Sequence, residues 1–193
     1  MTLSHLLQLP ISVDDMMRSV FPTTASNLVV PTPKNLLLLN RRLPPYSRPD
    51  YKDYLKSYRI APEAENITTL SLLAYTGGKL AGDGFSFANT FEGINTPFDF
   101  TFEIAGFRHC DGIKLANIES LQNVQVTLKK DPSNQHDSDV VVVEYDGKIL
   151  GYVPHGLNSV VTRLLNNNSI SAFIEKINGT LERPNVLVYV VVE

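Results

Sequence analysis

Three short polar stretches gather the side chains best suited to chemistry. In "AGFRHCDG", residues 105–112, Arg108 and His109 stand beside Cys110 where an alternating run ends. In "DPSNQHDSD", residues 131–139, Asn134, His136 and Asp137 come directly before four valines. In "GYVPHGLNS", residues 151–159, Tyr152 is followed by Pro154, His155 and Gly156. Three of the four histidines fall in these stretches. Each stretch also has a plain structural reading. Arg108 can be a solvated strand-end charge and His109 a turn residue. Asp and Asn beside Pro and Ser form Asx-turns, so Asn134 and Asp137 can simply hold their loop, which leaves His136 unexplained. His155 can be a surface histidine. It also precedes an expected helix, whose free N–H groups favour an anion such as phosphate.

The residue types exclude more than they admit. A zinc site would need ligands to converge from three loops, and none has the close paired spacing of a structural site. No metal and no cofactor are expected. There is no Walker loop, GxSxG, HExxH or kinase-type HRD set. Cys110 and His109 are adjacent in sequence, and adjacent residues of an extended chain point to opposite faces, so they form no nucleophile–base pair. The expectation is a non-enzymatic protein, with no catalytic residues.

The elements that must position these stretches follow from periodicity. "DFTFEIAGF" alternates Phe100, Phe102 and Ile104 against Thr101 and Glu103; "NVQVTLKK" alternates Val124, Val126 and Leu128. "DVVVVEY" and "KILGYV" flank Asp146-Gly147, a strong two-residue hairpin signal. "GLNSVVTRLLNNN" places Leu157, Val160, Val161, Leu164 and Leu165 at helical spacing, and an asparagine run stops it. "SISAFIEKI" and "NVLVYVVVE" are two further strands around the turn "NGTLERPN". The order β-β-β-β-α-β-β predicts a small barrel with one inserted helix. In the last strand both alternating sets are apolar, so the face turned away from the barrel interior must also be covered, by residues 65–91 or by a second copy of the chain.

Upstream, "SRPDYKDYLKSYRIAP" predicts a short helix with Ser47 as cap and Tyr51, Tyr54, Leu55 and Tyr58 on one face. "NITTLSLLAYTGG" predicts another, closed by Gly77. "GFSFANTF" alternates Phe85, Phe87 and Phe91 like an edge strand or arm. Arg41, Arg42, Arg48, Lys52, Lys56 and Arg59 outnumber Asp50 and Asp53, as a basic face or a merely solvated one. Residues 1–40 are a loosely organised arm, with one short helix after Ser12 and Phe21-Pro22 ending it. The expected division is therefore 1–40, a helical accessory segment at 41–97 packing on the barrel, and a barrel domain at 98–193.

Composition sets outer limits. An apolar fraction of 43% in 193 residues allows a real core. A net charge of −3 means that any nucleic-acid role must rest on a local patch. One cysteine excludes a disulfide framework and fits a reducing compartment. The N-terminus lacks a basic n-region, and no window holds eighteen apolar residues. A cytoplasmic protein without membrane association is expected.

Taken in order, the three stretches and the strands between them resemble the HIRAN domain. The family pattern is a strand ending in a G-x-R-aromatic turn, then a strand, a D-P-x-N-x-x-D loop into an apolar strand, a D/N-G hairpin, G-x-(V/L)-P and a helix. The segments "RRLPPYSRPDYKDYLKSYRI" and "LLAYTGGKLAGDGFSF" are similar to the part that precedes this domain in stand-alone prokaryotic HIRAN proteins. The resemblance covers roughly residues 40–193. It implies a mainly β fold, a small OB-like β-barrel with one inserted helix after a short helical N-terminal segment. It also implies binding of single-stranded DNA or DNA 3′ ends, in which paired aromatics stack the terminal bases, an Asp receives the 3′-hydroxyl and basic residues meet phosphates. Carried over by motif, the binding residues would be Arg108, His109, Asn134, His136, Asp137, Tyr152 and His155. His109 and His136 stand where the DNA-end binders have tyrosines, and His155 where they have a basic residue. A smaller ring stacks less, so a protein-interaction or regulatory module that kept the barrel with weak or no DNA binding is the alternative. A protein partner or self-association fits that alternative.

Overall fold

The computed structural model describes residues 39–193 apart from 64–66, 81–85, 115–117, 135–138 and 181. The helix expected after Ser12 and the strand residue Phe85 lie outside the described residues. Contacts divide the chain into two compact units, residues 1–92 and 93–193.

In the first unit, helix α1 spans Tyr51–Ser57 and helix α2 spans Thr69–Thr76. Ser47 does not cap α1, as the sequence suggested. The chain first makes a turn, with the Arg48 N–H on Pro45 O at 3.0 Å and the Tyr51 N–H on Arg48 O at 3.0 Å. Asp50 takes the cap position, but its carboxylate turns to Arg48 instead of the helix N–H groups. α2 is capped as its sequence implies. Thr68 Oγ1 accepts the Ser71 N–H at 3.1 Å, and Gly77 ends the helix at φ 77°, a conformation that glycine adopts without strain. The phenylalanine arm is not a strand over its described residues, 86–91. The Phe87 N–H bonds Gly77 O, while Asn89 Oδ1 takes the Phe91 N–H at 2.8 Å. That side-chain bond curls the backbone, and Phe91 sits at φ 52°. Phe87 and Phe91 are nevertheless buried.

The second unit is mainly β. Its strands are β1 (Phe98–Glu103), β2 (Gln125–Lys130), β3 (Val141–Tyr145), β4 (Lys148–Tyr152), β5 (Ile170–Thr180) and β6 (Arg183–Val192), with helix α3 (His155–Asn167) between β4 and β5. The predicted element order holds throughout. All pairings are antiparallel, in the order β1-β6-β5-β2-β3-β4. The sheet curls until its two edges meet. Ala105, just past β1, pairs with Tyr152 at the end of β4 through N–H···O bonds of 2.8 and 2.9 Å.

Local chemistry explains each turn. Asp146 and Gly147 both take positive φ, the mirror-image turn whose twist suits a two-residue hairpin. The β5–β6 hairpin is longer than its polar sequence suggests. "NGT" and "RPN" are paired strand ends, with Asn178 opposite Asn185 and Thr180 opposite Arg183. Polar residues there mark the exposed tip of a ribbon, so they read as a turn from sequence alone.

The core sits on the concave face. Phe98, Phe100 and Phe102 stack along β1 at 6.3 Å spacing and face Val192, Val190 and Val188 of β6. Ala172, Ile174, Val126 and the apolar stripe of α3 are buried with them. The opposite face of β1 and β6 is also largely buried, including Asp99, Thr101 and Leu187. β1 therefore alternates in sequence but is enclosed on both sides. The Tyr189 hydroxyl donates to Asp99 Oδ2 at 3.0 Å, which offsets part of the cost of burying that acid.

Candidate functional site

The strand pairings bring two of the polar stretches to the seam of the curled sheet, and the third joins them. The first begins at Gly106, which takes φ 72° and opens a 3₁₀ turn over Phe107–His109. Phe107 is buried as its anchor, which leaves Arg108 and His109 exposed. Arg108 Nε donates to His109 Nε2 at 3.0 Å, so the two side chains form one unit instead of two separate groups.

The second stretch leaves β2 at Asp131. Its backbone N–H bonds Val140 O at 2.9 Å, which closes the loop at its base. The Asp131 carboxylate takes both the N–H and the hydroxyl of Ser133, at 3.1 and 2.5 Å. This is an Asx-turn of the expected kind, and Asp131 makes it. Asn134 is half-buried, and its N–H bonds Asp131 O at 3.2 Å. His136 and Asp137 lie outside the described residues. Past them, Asp139 pairs with Lys130 at 3.0 Å.

The third stretch is the β4–α3 junction. Tyr152 closes the seam with Ala105, and its ring lies over Gly106, about where a side chain at that position would touch it at 3.5 Å. Val153 N–H bonds Val141 O at 2.9 Å, and buried Asn158 of α3 accepts the Val141 N–H at 3.4 Å. His155 is the first residue of α3, not one ahead of it, and is exposed. Pro154 is the cap residue and supplies no side-chain bond to the helix.

Gly151 is what permits this convergence. Its φ is 153°, and an added Cβ would fall 2.4 Å from Ile104 Cγ2 and 2.6 Å from Ala105 O. Only glycine lets β4 approach the chain leaving β1 so closely.

A side-chain contact reinforces the seam. The Tyr152 hydroxyl and the Cys110 thiol interact. Burial pushes the thiol above its ordinary pKa, outweighing the lowering effect of the tyrosine bond. Burial likewise raises the Tyr152 phenol, and Cys110 and then the Asp131 charge add to it. Cys110 and Asp131 are thus the site's two unforeseen members. The Asx-turn signature of Asp131-Pro132-Ser133 was in the sequence, but the Cys110 contact depends on strand closure and leaves no local signal. Arg108, His109, Asn134, Tyr152 and His155 come from the three stretches at this seam. The nearby cations Lys114 and Lys130 are already paired with Asp111 and Asp139.

The fold and site together define a small curled antiparallel sheet whose polar side chains are carried by loops along one seam. The family model of the HIRAN domain matches residues 97–193, and the chain belongs to that family. HIRAN domains are generally DNA-binding modules and are not catalytic by themselves. The crystal structure of the HIRAN domain of human HLTF is similar at 18% identity over 49% of this chain and 74% of that one, with a TM-score of 0.40. No curated protein matches. No described helix is long and apolar enough to cross a membrane.

Proposed function

We propose that the seam of the curled sheet binds single-stranded DNA at its 3′ end. The observation that carries this reading is the convergence of three separately encoded polar stretches on the Ala105–Tyr152 pairing, in a domain of a DNA-binding family. Arg108 meets a phosphate, with His109 beside it offering a ring to a terminal base. Tyr152 and Asn134 form the pocket wall. His155 lies where the uncapped N-terminus of α3 favours an anion. The loop carrying His136 and Asp137 completes the site, with the Asp137 carboxylate accepting a hydrogen bond from the 3′-hydroxyl and repelling a terminal phosphate.

The test is a titration of the full chain with labelled oligonucleotides bearing a 3′-hydroxyl or a 3′-phosphate, at two salt concentrations. The hydroxyl form binds more tightly, and Asp137→Asn narrows the difference. Arg108→Ala weakens binding roughly tenfold, the scale of a lost charge-assisted hydrogen bond. Equal binding of the two 3′ termini would remove the end-recognition reading.

A further inference from the structure

The first unit carries an aromatic and cationic surface that the seam does not use. Four tyrosine rings form a continuous series. Tyr46 lies 4.8 Å from Tyr51, Tyr51 lies 6.2 Å from Tyr54, and Tyr54 lies 5.3 Å from Tyr58. Three of them follow from the spacing of α1, where positions 51, 54 and 58 share a face. The inner end belongs to the fold, since Tyr54 lies against Thr76 of α2. The outer end does not. Tyr46 is 71% exposed, and among the described residues the other exposed large apolar side chain is Leu80, at 38%. Tyr46 sits in the turn fixed by Pro44 and Pro45 and borders a cavity of about 600 Å³ shared with Arg41 and Tyr51.

The charges around it are unevenly committed. The only acids between residues 39 and 60 are Asp50 and Asp53, and both are engaged, with Arg48 and Lys56. Arg42 donates to Gly78 O at 3.0 Å. Arg41 and Lys52 are exposed, with no ion pair or hydrogen bond among the described residues. An open aromatic ring beside exposed cations suits a ligand with flat rings joined by anionic links. A duplex hides its base faces, whereas a single strand presents them.

We propose that the cavity bordered by Tyr46 and Tyr51 takes an unpaired base of a single-stranded nucleic acid, stacked on Tyr46, with Arg41 and Lys52 on the flanking phosphates. This contact is independent of the seam and of any free 3′ end. The Tyr46 ring already packs against Tyr51 at 4.8 Å, so part of its side-chain freedom is given up before stacking.

The experiment uses the full chain and a labelled twenty-nucleotide oligothymidine blocked by a 3′-phosphate. Tyr46→Ala weakens binding roughly 5- to 160-fold, the range for one stacked base. Tyr46→Phe keeps it, because the ring does the work. Because Tyr46 is exposed, neither change threatens folding. Arg41→Ala with Lys52→Ala lowers the slope of log affinity against log salt by about 1.4, for two phosphate contacts on a single strand. Photocrosslinking with 5-iodouracil in the same oligonucleotide labels the peptide containing Tyr46. The effect of Tyr46→Ala persists in an Arg108→Ala background, which separates it from the seam. Unchanged affinity of Tyr46→Ala, adducts confined to residues 105–155, equal binding of a duplex of the same length, or no binding at all would each overturn the proposal. Failure of the seam reading shows separately, as indifference to the 3′ terminus and to Arg108→Ala.

Discussion

The two surfaces are built on opposite plans. The described loops at the seam of residues 93–193 are tied down in several ways. They are held by backbone pairs, an Asx-turn, a buried asparagine and a tyrosine–cysteine contact, while Lys114 and Lys130 are paired with neighbouring acids. That unit carries eight lysines and arginines against twelve aspartates and glutamates, a net −4. The surface at residues 39–60 carries six cations against two acids. On the proposed reading, a seam of the first kind would select by shape and hydrogen bonding, with a shallow salt response. A surface of the second kind attracts a polyanion by charge and holds it by stacking.

The largest expected effect breaks the fastened side. Gly151→Ala forces a side chain into Ile104 and the Ala105 carbonyl at a backbone angle that suits glycine, and should cost about 3 kcal/mol or more. Urea unfolding followed by circular dichroism reads it as a lower midpoint, and a change below about 0.5 kcal/mol would show that the seam yields easily. Next is Asn158→Ala. It leaves the Val141 N–H buried without its acceptor, at a cost of about 1–3 kcal/mol by the same measurement.

The third effect is chemical. Because its pKa is raised by burial, the Cys110 thiol holds less thiolate at a given pH than a free cysteine. Its alkylation by iodoacetamide should therefore set in at higher pH than that of a free thiol. Tyr152→Phe removes the hydroxyl that favours the thiolate, so the onset should move higher still. An onset at or below that of free cysteine would contradict the buried seam. Smallest is Arg48→Ala in the other unit. Both partners of its ion pair are more than half exposed, so stability should stay within about 0.5 kcal/mol of the unaltered chain.

The sequence disclosed what is local. The strand order, the Asp146-Gly147 turn, the Gly77 stop and the stripe of α3 each depend on residues a few places apart. What it hid is non-local. Closure of the sheet rests on Ala105 meeting Tyr152, 47 places later, and nothing near either residue marks the register. The burial of Asp99 made sense only once Tyr189 was seen beside it. Ser47 looked like a cap because a proline followed it, yet the extra turn at Pro45–Arg48 displaced the helix start. Of the candidate site, Arg108, His109, Asn134, Tyr152 and His155 were legible as polar residues at strand ends, whereas Cys110 and Asp131 became members through contacts that cross strands. On α1 the helical spacing revealed three tyrosines, but Tyr46 lies outside the period, and only the structure adds it to the series.

The pairing of Ala105 with Tyr152 also behaves as a clasp. Elsewhere neighbouring strands share several backbone bonds, whereas among the described residues the first and last edges of the sheet share two. Separating those two residues is the cheapest way to unroll the domain without melting a strand. Their amide protons should exchange with solvent sooner than those of the central strands β5 and β6. A strand of DNA held by the loops on both sides of the clasp would keep it shut. Occupancy could then be followed by the slowed exchange of two backbone amides, neither of which needs to touch the ligand.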